Sequence, residues 1–303
     1  MSTPAASAAS DTPAAPTAPA LIAVTGATGR IGGAVATLLH ERGASLRLLL
    51  RDPSRTPRWA RDAPSVEVAV AQYDDGEAAR AALAGVDVLL MVSASESADR
   101  LSQHRTFIDA AAAAGVRHVV YTSFLGAAAD AVFTLARTHW ATEEHLRASG
   151  MGFTLLRDSF YLDFLPDLAV DGVIAGPAGT GRVGAVARED VARSAAAVLA
   201  DLAAGESRHD GAVYELTGPR ALSLSDVAAI LTAAGRPTVY RQESVEEAYA
   251  SRSVYGTPDW QVDAWVSTYT AIASGALDRV THDVERLTGR RPLGLAELLA
   301  GRP

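Results

Sequence analysis

Three glycines stand three residues apart in the run Val24-Thr25-Gly26-Ala27-Thr28-Gly29-Arg30-Ile31-Gly32, and their spacing suits the cradling of a pyrophosphate. Gly26 permits a tight turn, Gly29 lets backbone N–H groups approach the phosphates, and Gly32 allows a helix to pack against the preceding strand. A helix beginning here would also point the positive end of its dipole at the anion. An isolated match is as easily a plain glycine-rich turn. Here the apolar run Leu21–Thr25 reads as a strand and Ile31 to about Arg42 as a helix, so the loop stands in the strand–turn–helix setting that dinucleotide binding requires. Gly26, Ala27, Thr28, Gly29, Arg30, Ile31 and Gly32 are therefore the candidate phosphate loop. The cofactor's form turns on the end of the second strand, where an acidic residue would hold the 2′-hydroxyl of NAD and an arginine a 2′-phosphate. Arg51 stands there, which favours NADP(H). The adjoining Asp52-Pro53 suits a turn, and the lesser alternative for Arg51 is a surface arginine that caps the sheet edge.

Some chemistry is excluded by composition. Cysteine is absent, which removes disulfides, thiolate nucleophiles and Cys-ligated metal, and makes a reducing cytoplasm the expected compartment. Lysine is absent too, so arginine supplies all 27 basic residues and neither a Schiff base nor a lysine-assisted acid can form. His40, His104, His118, His139, His145, His209 and His282 show no metal-ligand spacing, and no Gly-x-Ser-x-Gly elbow occurs, so no metal site is expected. A net charge of -8 argues against nucleic acid and anionic membranes as partners. No apolar run reaches the roughly 18 residues of a membrane helix.

The elements that must position these residues follow from periodicity. Apolar runs at Leu46–Leu50, Val66–Ala71, Val86–Val92, His118–Thr122 and Phe153–Leu156 alternate with helical stretches, which predicts an α/β fold: a Rossmann-type doubly wound parallel sheet. Further on, Val213–Leu216 and Thr238–Arg241 read as strands, and Ser223–Ala234 as a helix capped by Ser223 or Ser225. From Ser244 onward helical stretches carrying Trp260, Trp265 and Tyr269 suggest a smaller C-terminal lobe over the carboxyl edge of the sheet. The expected organisation is a disordered extension over residues 1–19, a dinucleotide-binding core over 20–157, and the remaining strands with a substrate-binding lobe over 158–303.

With these motifs placed, the chain resembles the NmrA-like branch of the atypical short-chain dehydrogenase/reductases, most closely the NADPH-dependent type 2 quinone oxidoreductases. The glycine loop is superfamily-wide. Specific to the branch is the ordered set Leu50–Arg55, Tyr73-Asp74-Asp75, Val92–Glu96, Gln103-His104-Arg105, Tyr121-Thr122-Ser123, Thr142–Leu146 and Thr154–Arg157 followed by Asp158–Tyr161. The resemblance implies that Val92, Ser93 and Ala94 pass the adenosine and pyrophosphate. It places Tyr121, Thr122 and Ser123 beside the nicotinamide, and has Asp158, Ser159, Phe160 and Tyr161 line the nicotinamide and substrate pocket. Relatives often carry Asn where Asp158 stands. Phe124, Trp140, Phe160 and Tyr161 are candidates to sandwich a flat substrate, although singly such aromatics are more often core.

The superfamily's usual Tyr-x-x-x-Lys pair cannot exist here. The register before Thr142 puts Leu135 at the tyrosine's place and His139 at the lysine's; with an ordinary pKa near 6.5, His139 would be partly charged and able to bind ribose or donate a proton. His139, Asp158 and Tyr161 are thus the candidate catalytic residues. Ketone reduction makes a strongly basic alkoxide and gains from a positioned acid, whereas a quinone accepts hydride to give a resonance-stabilised anion. The expected activity is NADPH-dependent hydride transfer to a quinone or similar small electrophilic carbonyl compound. The alternatives are a noncatalytic NADP(H)-sensing regulator and a tailoring ketoreductase; a homodimer is compatible with each.

Overall fold

The computed structural model describes residues 19–301. The extension expected over residues 1–19 therefore lies, apart from Pro19, outside the described residues.

The core alternates strand and helix except between β2 and β3, which short turns connect: β1 (Leu21–Val24), α1 (Arg30–Glu41), β2 (Ser45–Leu50), β3 (Val66–Val70), α2 (Gly76–Leu83), β4 (Val88–Met91), α3 (Arg100–Ala113), β5 (His118–Phe124), α4 (Thr134–Ala148) and β6 (Gly152–Asp158). After an excursion into the lobe the chain returns with α5 (Arg188–Ala203) and the strand Ala212–Leu216, which completes a seven-stranded sheet beside β6. Its order is Ala212–Leu216, β6, β5, β4, β1, β2, β3, with every neighbouring pair parallel. The strand order reverses at β1 and β4, so the loops leaving those two strands part and open a crevice at their carboxyl ends.

Alternation within the strands explains the two-sided burial. Ile22, Val24, Val88, Leu90 and Val120 face α1 and α5, while Ala23, Leu89, Met91, Val119 and Tyr121 face α2 and α3. A strand covered on both faces must be apolar at nearly every position, which is what made these strands readable. Two ran longer than their apolar runs: β5 continues through Ser123 and Phe124, and β6 through Arg157 and Asp158. The polar tail in each is stabilised by tertiary partners: Ser123 and Arg157 both bond to buried Glu143 of α4.

The lobe has its own core, in which Ile174, Val183, Leu224, Val227, Tyr269 and Ile272 meet Phe124 and Phe133 from the sheet's carboxyl edge. Ser223 caps the helix Leu224–Ala233 through a reciprocal bond pair with Asp226. The strand expected over residues 238–241 forms as Val239–Gln242, in a separate three-stranded sheet with Val173–Gly176 and Ala169–Val170. Those partners and Arg182–Val183 are too short to show a period and were not foreseen.

Candidate functional site: the dinucleotide cleft

The crevice at the β1/β4 divergence is a cavity of about 550 Å³, lined by Gly26, Thr28, Gly29, Arg30, Ile31 and Gly32 from the glycine loop and by Val92, Ser93 and Ala94 after β4. Gly26 takes the left-handed conformation at φ +61. At Gly32 a Cβ would lie 2.5 Å from the carbonyl oxygens of both Thr25 and Gly26, so no side chain fits between the loop and α1. Gly29 is the N-cap of α1 and supplies no side-chain cap, and the first turn carries no acidic residue. The opening N–H groups of α1 are thus free of side-chain partners and suited to an anion. Ala27, expected in the phosphate loop, is fully buried in the core and does not line the cavity.

Arg51 lies at the end of the cavity fed by β2, and Arg30 lines the same space. Asp52, whose acidity left the cofactor's form open, turns away: its carboxylate accepts the Ser54 N–H at 2.9 Å and caps the turn Pro53–Arg55. Hydrogen bonding from Ser54, by its side chain first and its backbone second, holds the Asp52 pKa below the usual carboxylate value. Of the pair at the end of β2, Arg51 is therefore the one that lines the cavity, where Arg30 and, after β3, Asp74 also stand. The floor is tied together by Tyr73, whose hydroxyl lies 2.7 Å from Thr25 Oγ1 and donates to Val92 O at 2.5 Å, while Val92 N–H donates to Thr25 Oγ1 at 2.9 Å. These bonds join the ends of β1 and β4 across the divergence.

Behind the cleft wall lies a buried polar network. Arg100 of α3, 4% exposed, donates to Ala94 O at 2.9 Å and Thr138 Oγ1 at 2.7 Å, and its other terminal nitrogen stands 2.9 Å from His139 Nε2. A guanidinium can only donate, so His139 Nε2 is the acceptor and its ring hydrogen sits on Nδ1, 3.0 Å from the Tyr121 hydroxyl. His104 has the same tautomer, for Ala94 N–H donates to its Nε2 at 2.9 Å and its Nδ1 faces Thr142 Oγ1. Burial first and Arg100 second push His104 down to about 3 and His139 well below the usual histidine value.

The partly charged imidazole expected at residue 139 is therefore corrected. His139 is held neutral first by its burial and then by the Arg100 guanidinium, which occupies the place that a second ring proton would need. Tyr121 and Ser123 likewise direct their side chains into this interior, Ser123 donating to Glu143 Oε1 at 2.5 Å, whereas Thr122 accepts the Ser93 N–H at 2.8 Å and fixes the wall of the cleft.

At the end of β6, Asp158 and Ser159 are each 1% exposed, and Asp158 Oδ1 and Ser159 Oγ have no hydrogen-bond partner. The other carboxylate oxygen, Oδ2, accepts from Tyr161 at 3.1 Å. With no cation against it, burial drives the Asp158 pKa well above its usual value, and the group is a neutral acid. Tyr161, whose own pKa burial also raises, lies under the Arg188 guanidinium, 4.9 Å from the ring centre, and Arg188 lines the cleft. Phe160 packs on Phe124 and Phe133 with ring centres 5.1 and 5.0 Å apart, a core cluster adjoining Asp158, while Trp140 lies exposed on α4. Among the described residues no group of three or more His, Asp or Glu could hold a metal ion, and no helix is long and apolar enough to cross a membrane.

Residues 26–202 match the NAD(P)H-binding family model. The chain belongs to that NAD(P)H-binding family. Its relatives include quinone oxidoreductase 2 of Escherichia coli, 35% identical over 82% of this chain and 86% of the relative. The NAD(P)H azoreductase of Xenophilus azovorans is 31% identical over 88% of this chain and 92% of its own. The crystal structure of the E. coli quinone oxidoreductase complexed with NADPH superposes with a TM-score of 0.82 at 34% identity, covering 92% of this chain and 98% of that one. Arg188, Arg100 and the bonding of Tyr73 went unread in the sequence. Tyr73 and His104 fell within recognised motifs but carried no visible role, and an arginine looks the same in a sequence whether it is solvated or buried.

Proposed function

We propose that the chain is an NADPH-dependent reductase of quinones and similarly electrophilic, conjugated small molecules. The observation that carries this is the site of the missing lysine: His139 stands there as a neutral hydrogen-bond acceptor for Arg100, in a chain with no lysine at all. Residue 139 therefore offers no proton at the position where the superfamily keeps its lysine, and a substrate whose reduced form spreads its charge asks least of that position. The names of the relatives, a quinone oxidoreductase and an azoreductase, describe acceptors of this conjugated kind.

The residues divide the work by position. The loop Gly26–Gly32 and the N-terminus of α1 would hold the pyrophosphate, Arg51 with Arg30 the 2′-phosphate, and Val92–Ala94 the adenosine side of the chain. Thr122, Asp158, Ser159, Phe160 and Tyr161 would set the nicotinamide against the substrate at the carboxyl ends of β5 and β6. Tyr121, Ser123 and His139 would support that wall from behind. Bound NADPH supplies the hydride. The buried wall and the Phe124, Phe133 and Phe160 cluster exclude water from one side, which strengthens each hydrogen bond made there.

Purified protein mixed with NADPH and a panel of quinones, azo dyes and enones should consume the NADPH absorbance, faster than with NADH. Binding of NADP(H) without acceleration by any acceptor would overturn the reading in favour of a dinucleotide-sensing regulator.

A further inference from the structure

We propose that Asp158 is the proton source of the reaction, a neutral carboxylic acid whose proton is coupled to the oxidation state of the bound dinucleotide. This rests on the reductase reading and supplies the donor that a chain without lysine otherwise lacks.

Four observations meet at this carboxyl. It is the last residue of β6, 1% exposed, and lies behind the lining of the cleft, joined through Tyr161 to the cleft-lining Arg188. Its Oδ2 accepts the Tyr161 hydroxyl hydrogen, which leaves Oδ1 to carry the acid proton, and Oδ1 has no partner. Ser159 Oγ beside it is also buried without a partner, so two adjoining polar groups at the end of one strand are left unsatisfied by the protein. Native structures seldom waste such groups, since each costs about 1–3 kcal/mol unless a ligand completes it.

Among the described residues no ion pair compensates Asp158. Tyr161 is the titratable group that touches it; Arg188 at the start of α5 and Arg100 of α3 bear on Tyr161, from whose ring Arg188 stands 4.9 Å. On the opposite face of β6, Arg157 is neutralised by its two bonds to Glu143, at 2.8 and 2.6 Å. The desolvated carboxyl therefore keeps its proton for as long as nothing positive is brought against it.

Hydride transfer changes that condition. A reduced nicotinamide is neutral and an oxidised one is cationic, so loss of hydride brings a positive charge to the carboxyl edge and favours the ionised acid. In the same step the acceptor gains a hydride and becomes an anion. The O–H bond of Asp158 breaks, its proton bonds to the anionic oxygen or nitrogen of the reduced acceptor, and the carboxylate remains beside the oxidised ring. Replacement of the dinucleotide by a fresh reduced one removes the cation, and Asp158 regains a proton from water. The sum is NADPH, acceptor and one proton giving NADP+ and the reduced acceptor. The proton is thus released when the acceptor becomes basic and is retained before then.

The coupling is measurable without turnover. Titrations by calorimetry near pH 7, in buffers of different ionisation enthalpy, should show close to one proton released per NADP+ bound and almost none per NADPH. Asp158→Asn, which keeps the shape and a donor, should bind both forms with no such difference. The infrared difference spectrum of the wild type, NADPH-bound minus NADP+-bound, should contain a protonated-carboxyl band that the variant lacks; this second readout stands if the variant proves unstable. Equal proton release by wild type and variant, no release by the wild type, or an infrared difference without a carboxyl band would overturn the proposal. Proton release with NADP+ but no reduction of any acceptor would leave the coupling intact and sink the reductase reading alone. Failure of either dinucleotide to bind would overturn both.

Discussion

The sharpest residue-level question is what Arg51 contacts, because it sets the cofactor. Asp52 bonds to its own turn, and of the two residues that close β2 only Arg51 lines the cleft. Arg51→Ala should therefore weaken NADPH binding by about 2 kcal/mol, roughly thirtyfold in Kd, since a hydrogen bond to a charged group contributes about 1.5–3 kcal/mol. NADH has no 2′-phosphate and should bind the variant nearly as before. Dissociation constants from fluorescence titration check this, and equal weakening of both dinucleotides would remove the assignment. Residues of this kind were legible in the sequence because a glycine loop and a strand-end arginine act through local backbone geometry. The Arg100–His139 contact was not legible. Its partners stand 39 positions apart on two helices, and nothing in either neighbourhood says that a guanidinium will be buried against an imidazole.

Among the elements, the turn from β1 into α1 is the most constrained, and it depends on a glycine the sequence already singled out. Gly32→Ala would drive a methyl to within 2.5 Å of two backbone carbonyl oxygens, contacts that only a shift of α1 away from β1 can relieve. That shift would move the N–H groups that receive the pyrophosphate, so the variant should lose NADPH affinity by at least tenfold and melt several degrees lower. A milder test of the same element is Tyr73→Phe. Removing its hydroxyl leaves Val92 O without that donor and loosens the ends of β1 and β4, at a cost of about 1–2 kcal/mol in thermal unfolding. An unchanged melting temperature for both variants would show that the crevice is held by other means. Strands buried on two faces announced themselves by continuous apolar runs, and helix ends by their caps. The polar ends of β5 and β6 did not, because Ser123 and Arg157 are stabilised in the sheet by a glutamate on another element.

For the molecule as a whole, buried neutral histidines make stability depend on pH. His118 is 8% exposed at the amino end of β5, its Nε2 2.9 Å from Thr154 Oγ1, and burial pushes its pKa down to about 4, with Asp210 opposing and His209 and Arg117 assisting. His104 is pushed down to about 3 by burial and by Arg100. Both folded values lie below the ordinary 6.5 of an unfolded histidine, so at mildly acid pH the unfolded chain binds more protons than the folded one. The stability these groups contribute is complete above about pH 6.5 and is lost as pH falls toward 4. Asp158 works in the opposite sense, since its raised pKa favours the fold in acid and less so as pH rises. A comparison of variants isolates one group from the others. His118→Gln keeps a hydrogen-bonding side chain opposite Thr154 and removes the titration. Between pH 7.5 and 5 the wild type should lose about 1–2 kcal/mol more unfolding free energy than this variant, measured by urea denaturation at each pH. Parallel curves would mean that His118 takes up its proton in the folded state as readily as in the unfolded chain, and that its burial beside β6 does not govern its charge.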